Sequence, residues 1–245
     1  MHDADLTGRT ALVTGSADGI GRGIALALAD CGADVAVHYH SSAEKAAATA
    51  EELRDRGVDA VAVQGDVTDP ESVDALFESV ESSLGSVDVL VNNVGDFAPS
   101  HWADIDLATW DRVLATNLTG TMLCSRRALP GMRAGQWGRI VNIGYAGAEK
   151  ALVSPTNFPY FVAKTGVLMF TRMLAADTQN DGVTVNAVSP YVVETSDEFP
   201  AEAPRGRWAT IEDVANAVTF FTSDASGYVS GENVEIDGGW LPEEV

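Results

Sequence analysis

Thr10-Ala11-Leu12-Val13-Thr14-Gly15-Ser16-Ala17-Asp18-Gly19-Ile20-Gly21 is the stretch on which the fold of this chain turns. Thr10 to Val13 is a short apolar run with strand character. Glycines follow at once, and an amphipathic segment then continues to Cys31-Gly32. A strand that passes through a glycine turn directly into a helix is the opening unit of a parallel α/β sheet. Glycine lets the backbone turn sharply and approach an anionic ligand, and the helix N-terminus favours the negative charge. The spacing Gly-x-x-x-Gly-x-Gly is one residue longer than the standard dinucleotide fingerprint.

The same alternation runs on from there. Apolar runs at Asp34 to Tyr39, Ala60 to Gln64, Asp88 to Val91, Arg139 to Ile143, Val183 to Val188 and Asn233 to Ile236 read as strands. Helical stretches are expected over Ser42 to Gly57, Asp69-Pro70 to Leu84-Gly85, Leu107 to Leu129, Tyr160 to Gln179 and Ile211 to Phe221. The expectation is a single α/β domain over 1–245, a doubly wound Rossmann fold with a parallel seven-stranded sheet, preceded by a polar tail at 1–5.

Charge narrows the partners. The chain has 36 acidic residues against 15 basic ones, a formal net charge of -21. Phosphate attraction needs basic surface, so no nucleic acid and no anionic membrane is expected as a partner. The acids are spread along the whole chain, which points to a halophilic protein working at high salt, where screening relieves self-repulsion. No run is long and apolar enough to span a bilayer and no leader opens the chain, so a soluble cytoplasmic protein is expected. Cys31 and Cys124 lack paired spacing and read as buried small residues.

Candidate site residues stand at the strand ends. After the second strand, an NAD site would offer an acid to the ribose 2′-hydroxyl, and none stands between Val35 and Ala43. His38 and His40 share a strand face, and Ser41 and Ser42 can donate hydrogen bonds, so NADP(H) is favoured over NAD(H). No third ligand accompanies the two histidines, and no metal is expected. Asp66 after the third strand could accept from an adenine amine or cap the next helix. Asn92-Asn93-Val94-Gly95 suits a sharp turn against a cofactor or a purely structural one. Asn117-Leu118-Thr119-Gly120 interrupts a helix with poor helix formers. A local kink whose freed carbonyl binds water is one explanation. Tyr160 and Lys164 lie one helical turn apart, where an ammonium would lower the phenol pKa and tune it for proton transfer.

In this order the motifs Thr14-Gly15-x-x-x-Gly19-x-Gly21, Asn92-Asn93-x-Gly95, Asn117, Tyr160-x-x-x-Lys164 and Pro190 resemble the short-chain dehydrogenase/reductase family. Its 3-oxoacyl-carrier-protein reductase members look nearest. The resemblance covers nearly the whole chain and implies an NADPH-dependent oxidoreductase that reduces a ketone to an alcohol. The substrate would be a small carbonyl compound, with a 3-oxoacyl thioester in view. It implies that Gly15, Ser16, Gly19, Ile20 and Gly21 cradle the pyrophosphate and that Asp66 and Val67 hold the adenine. Asn92 would hold the adenosine ribose, with Val94 and Gly95 beside it, and Pro190, Val193 and Thr195 would meet the carboxamide. Tyr160 would be the general acid, Lys164 would bind the nicotinamide ribose and depress the Tyr160 pKa, and Asn117 would serve a proton relay. A homotetramer is implied as well.

The chain departs from that pattern at three places. Tyr145 stands where the family usually has a Ser on the substrate oxygen, so either Tyr145 supplies the hydroxyl, or Ser154 or Thr156 does, or Tyr145 simply fills the pocket. Tyr191 replaces the usual Gly after Pro190. The lid over 191–207 is short and holds Pro200 and Pro204. Carrier-docking bases are replaced by Gln136 and Asp181, although Arg126, Arg127 and Arg133 keep that partner in view. Two rival readings follow. One is a pterin-type reductase, in which Tyr145 and Tyr191 sandwich a flat substrate. The other is a non-catalytic NADP-binding protein, supported by the loss of the Ser.

Overall fold

The structure, a computed structural model, describes residues 4–149, 155–196, 199–200 and 202–240. Seven strands form one sheet: β1 (Thr10–Val13), β2 (Asp34–Tyr39), β3 (Ala60–Gln64), β4 (Val87–Asn92), β5 (Gly138–Ile143), β6 (Val183–Pro190) and β7 (Asn233–Ile236). Their order is β3-β2-β1-β4-β5-β6-β7, and every pairing is parallel. The helices are α1 (Gly19–Asp30), α2 (Ala43–Asp55), α3 (Pro70–Leu84), α4 (Leu107–Leu114), α5 (Gly120–Gly135), α6 (Phe158–Asp177) and α7 (Ile211–Thr222).

The strands are apolar on both faces because both faces are covered. On β1, Ala11 and Val13 point into a layer shared with Ile24 and Leu28 of α1 and Val214, Val218 and Phe221 of α7. Leu12, between them, points the other way, to Leu76, Phe77 and Val80 of α3 and Leu123, Leu129 and Met132 of α5. The period-two alternation of a strand therefore splits one apolar run between two cores. The strand order reverses between β1 and β4. In such sheets the crevice at that switch point, beyond the carboxyl ends of the strands, is the ligand site.

The helix expected over Leu107 to Leu129 runs on without a break in its right-handed backbone, but it is not α-helical throughout. A π-helical turn at Ala115–Thr119 separates α4 from α5, which fits the poor helix formers there. Beyond it, α5 runs through Pro130 to Gly135 rather than stopping at Leu129, because Met132 beyond the proline is buried in the second core. At the amino end, Ala4 is already buried in the first core layer, so less of 1–5 is a polar tail than its sequence indicates. Residues 1–3 lie outside the described residues. Among the described residues, no helix is long and apolar enough to cross a membrane.

Candidate active site

The glycine turn is shaped by sterics. Gly15 and Gly19 have φ of +66° and +57°, the left-handed region that side chains resist. A Cβ on Gly21 would stand 2.6 Å from Asn93 Nδ2, so only glycine lets α1 begin this close to the turn after β4. Above Gly19 nothing lies within 4 Å of a Cβ position. This open helix N-terminus fits the diphosphate of a dinucleotide. Thr14 and Asn93 stitch the two turns together. The Thr14 Oγ1 accepts from the Asn93 and Val94 amides at 2.9 and 3.2 Å, and Asn93 Nδ2 donates to the Thr14 carbonyl at 2.9 Å. Thr14 and Asn93 both stand in the sequence motifs, which gave neither of them this hydrogen-bonding role.

Several residues assigned to the adenosine end do other work. His38 is buried, not solvent-facing. Its Nδ1 accepts from the Gly15 amide at 2.9 Å and its Nε2 lies 3.2 Å from the Gly65 carbonyl, so both ring nitrogens are engaged inside the fold. Burial holds its imidazole down at about 4. Ser16 is fully buried, with its hydroxyl donating to the Val13 carbonyl at 2.7 Å and accepting from the His38 amide. Asn92 is buried too, and its Nδ2 donates to Ser125 Oγ and Asn142 Oδ1, tying β4 to α5 and β5. Val67 packs its side chain against Gly120. Asp66 accepts from the Thr68 amide and hydroxyl at 2.8 and 2.7 Å, while the helix cap is Asp69. His40, Ser41 and Ser42 are exposed at the end of β2, beside the amino end of α2.

The reaction end gathers around α6. Tyr160, Lys164, Tyr145, Ile20, Gly95, Pro190, Val193 and Thr195 line one cavity of about 490 Å³, together with Phe97, Asn157, Phe161 and Tyr191. The Lys164 Nζ donates to the Ile143 carbonyl at 2.6 Å. Asn117 comes in from the π turn. Its Nδ2 donates to the Asp96 and Val113 carbonyls, both at 2.9 Å. Its Oδ1 is buried without a partner, 2.5 Å from where a Gly95 Cβ would stand, and Lys164 Nζ is 3.4 Å from the same point. The Asn117 carbonyl, within the π turn, accepts from Thr121 Oγ1 at 2.8 Å.

Asn157 leads into α6. It takes a left-handed conformation at φ 57°, which Asn tolerates better than most residues, and Pro159 follows in the first turn of α6. Asn157 Oδ1 accepts from the Ala98 amide at 2.9 Å, and its own amide donates to the Ser100 carbonyl at 3.0 Å. This clamp sets the Phe97 ring on Tyr160, with centroids 4.5 Å apart and planes 29° apart. Neither Phe97 nor Asn157 carried a sequence motif. Ser154, one alternative hydroxyl for the missing Ser, lies outside the described residues. The other, Thr156, is exposed and pairs with His101.

The electrostatics differ from the helical-turn expectation. Burial, with Tyr145 second, pushes the Tyr160 phenol well above its ordinary range. Burial brings the Lys164 ammonium down to about 8. Lys164 Nζ lies 5.6 Å from the Tyr160 ring centroid. Tyr145 is likewise pushed up to about 12, by burial first and Tyr191 second. Both phenols are therefore neutral donors at pH 7. The Tyr145 and Tyr191 rings are 6.4 Å apart at 55°, so they do not form a parallel slot. Tyr191 instead stacks on Trp240 at 4.1 Å and 13°.

A family model described as enoyl-(acyl carrier protein) reductase matches residues 15–241. The chain belongs to the short-chain dehydrogenase/reductase family. It is an oxidoreductase of that type. A 3-oxoacyl-(acyl-carrier-protein) reductase of Staphylococcus aureus is 37% identical over 241 residues, spanning 94% of this chain and 97% of that protein. Among solved structures, a protein from Sinorhizobium meliloti described as a short-chain alcohol dehydrogenase superposes with a TM-score of 0.91 at 34% identity, covering 97% of this chain and 98% of its own. A gluconate 5-dehydrogenase from Burkholderia cenocepacia, solved with NADP and tartrate, gives 0.88 at 32% identity, covering 96% of this chain and 95% of its own.

Proposed function

We propose that this short-chain oxidoreductase is an NADPH-dependent carbonyl reductase that turns a ketone into an alcohol. The observation that carries the reading is the Tyr160 phenol and the Lys164 ammonium brought into one cavity at the carboxyl edge of the sheet. A neutral phenol is a proton donor, and a ketone receiving a hydride needs a proton on its oxygen. A bound nicotinamide would supply that hydride. Gly15, Gly19, Ile20 and Gly21 would present open backbone and a helix N-terminus to its diphosphate. Tyr160 gives its proton to the carbonyl oxygen, and the Lys164 charge stabilises the phenolate left behind. Asn117 Oδ1, unpartnered beside Gly95, would accept from and orient a water that returns the proton by way of Lys164.

NADPH is favoured because no acid stands at the end of β2, where His40, Ser41 and Ser42 are exposed. The Burkholderia relative solved with NADP supports the same choice. A 3-oxoacyl thioester is the substrate class for which the Staphylococcus relative is named. Docking of an acidic carrier is poorly served here. Arg127 is paired with Glu81 in two bonds of 2.8 Å, and Arg133 holds Asp181 and Asp177 at 2.6 and 2.7 Å. A free thioester or small ketone suits this surface better. Assembly into a homotetramer belongs to the same proposal, as does a cytoplasmic place of action.

The test is NADPH oxidation, followed by absorbance, with acetoacetyl-CoA, dihydrobiopterin and a small diketone at low and molar salt. Turnover of the ketones supports the reading. Tight NADPH binding with turnover of none would favour the non-catalytic alternative, which rests on Tyr145 replacing the usual Ser. The pterin alternative loses support from the 55° tilt between Tyr145 and Tyr191.

A further inference from the structure

Proton transfer requires Tyr160 and Lys164, but it does not require the wall around them to be aromatic. Away from the glycine turn, the cavity carries the rings of Phe97, Tyr145, Phe161 and Tyr191, with aliphatic Ile143, Pro190 and Val193 between them. Among the described lining residues Lys164 is the only charged one, and one of its three N–H donors is given to the Ile143 carbonyl. Charges gather instead behind Tyr191. There a separate cavity of about 360 Å³ is lined by Arg205, Arg207, Asp213 and Asp237.

The rings are held in place. Phe97 is 57% exposed, yet its loop is fixed on both sides. Asp96 before it pairs with Arg112 and accepts from Asn117, and Ala98 after it donates to Asn157. Tyr191 is backed by the Trp240 stack. Tyr145 presents its edge to both Tyr160 and Phe161, with centroids 5.7 and 5.3 Å apart. An exposed aromatic side chain costs solvation, and one fixed in advance loses little entropy when a flat group lands on it.

We propose that this site takes a neutral ketone with an aromatic ring next to the carbonyl, the ring packing on Phe97 and Tyr191 while the oxygen meets Tyr160. This deepens the reductase reading and rests on it. An anionic keto acid would find no described cationic partner beyond Lys164, and a straight acyl chain would leave the stacking faces unused. Tyr145, a neutral phenol on the same wall, can donate to a second oxygen on the substrate.

The experiment compares 1-phenyl-1,2-propanedione, 2,3-hexanedione and 5-ketogluconate as substrates for the wild-type protein, Phe97→Ala and Phe97→Leu. Binding of the phenyl diketone to NADP-saturated protein is measured in parallel by titration calorimetry. The phenyl diketone should show kcat/KM about tenfold above hexanedione, as expected from ring stacking beyond mere burial. Both variants should lose that preference through KM. Turnover without ring preference, preference for ketogluconate, or a preference unchanged in Phe97→Ala would overturn the ring site and leave the reductase standing. Phenyl diketone binding that Phe97→Ala abolishes, with no ketone reduced, would uphold the ring site and overturn the reductase. Absence of both binding and turnover overturns both.

Discussion

His38 Nδ1 accepts a hydrogen bond from the Gly15 amide at 2.9 Å, so a side chain on β2 fixes the turn that leaves β1. The same ring reaches the Gly65 carbonyl at 3.2 Å. A carbonyl only accepts, so Nε2 carries the proton and Nδ1 does not. One neutral tautomer satisfies both bonds, and an imidazolium would break the first.

That arrangement has a pH signature. The folded His38 value of about 4 lies below the ordinary 6.5. The contribution is therefore complete above pH 6.5 and is lost as pH falls through 4, with on the order of 3 kcal/mol at stake. His38→Asn should weaken NADPH binding by distorting the glycine turn, and it should flatten the stability curve between pH 6.5 and 4. Denaturant melts across that range decide the matter. Parallel slopes for wild type and variant would mean that His38 does not report there.

Tyr160 and Lys164 should separate in kinetics. Tyr160→Phe keeps the ring that stacks on Phe97 and removes the proton donor, so kcat should fall by about a thousandfold with little change in KM. Lys164 loses its charge near pH 8, earlier than a free lysine. Reductive kcat/KM should therefore decline above pH 8, and Lys164→Arg should move that decline to higher pH or abolish it. A wild-type profile level to pH 10 would contradict the Lys164 assignment.

Tyr145 divides into a donor and a wall. If its neutral phenol donates to the developing oxyanion, Tyr145→Phe should cost about a hundredfold in kcat, the scale of one such donor. Tyr145→Ser would then recover part of the loss if the shorter hydroxyl can be reached. We expect the hundredfold loss, and a Tyr145→Phe enzyme within twofold of wild type would reduce Tyr145 to packing.

The sheet was readable because its strands are buried on both faces, so Leu12, Val37 and Val91 sit in continuous apolar runs whatever else happens around them. Glycine positions were readable for a similar reason: Gly15 and Gly19 hold positive φ, and a Cβ on Gly21 would clash with the turn after β4. Side-chain direction was not. His38, Ser16 and Asn92 sit at strand ends that face a ligand in the sequence pattern, but each turns inward to hydrogen bonds with residues more than 20 positions away or across a neighbouring strand. The sign of the Tyr160 shift was missed because helical spacing gives a separation and says nothing of burial. Phe97 and Asn157 were invisible because their roles come from contacts made between segments about 60 positions apart.

Salt is the last expectation to weigh. At a net charge of -21 the folded chain carries its repulsion at short range, while many cations are already committed. Arg9 pairs with Asp88, Arg22 with Glu52, Arg127 with Glu81 and Arg207 with Asp213. These exposed or half-exposed pairs contribute little each and are themselves screened by salt. Added KCl thus weakens a few small attractions but relieves a much larger sum of like-charge repulsions among the excess acids. The balance predicts a melting temperature that rises by roughly 5 °C or more between low and molar KCl, since about 1 kcal/mol moves a domain of this size by 2–4 °C. Scanning calorimetry in KCl, with sucrose as a control for general solute exclusion, reads the difference. A melting temperature flat in KCl, or a rise matched by sucrose alone, would mean that the acidic surface is not an adaptation to salt.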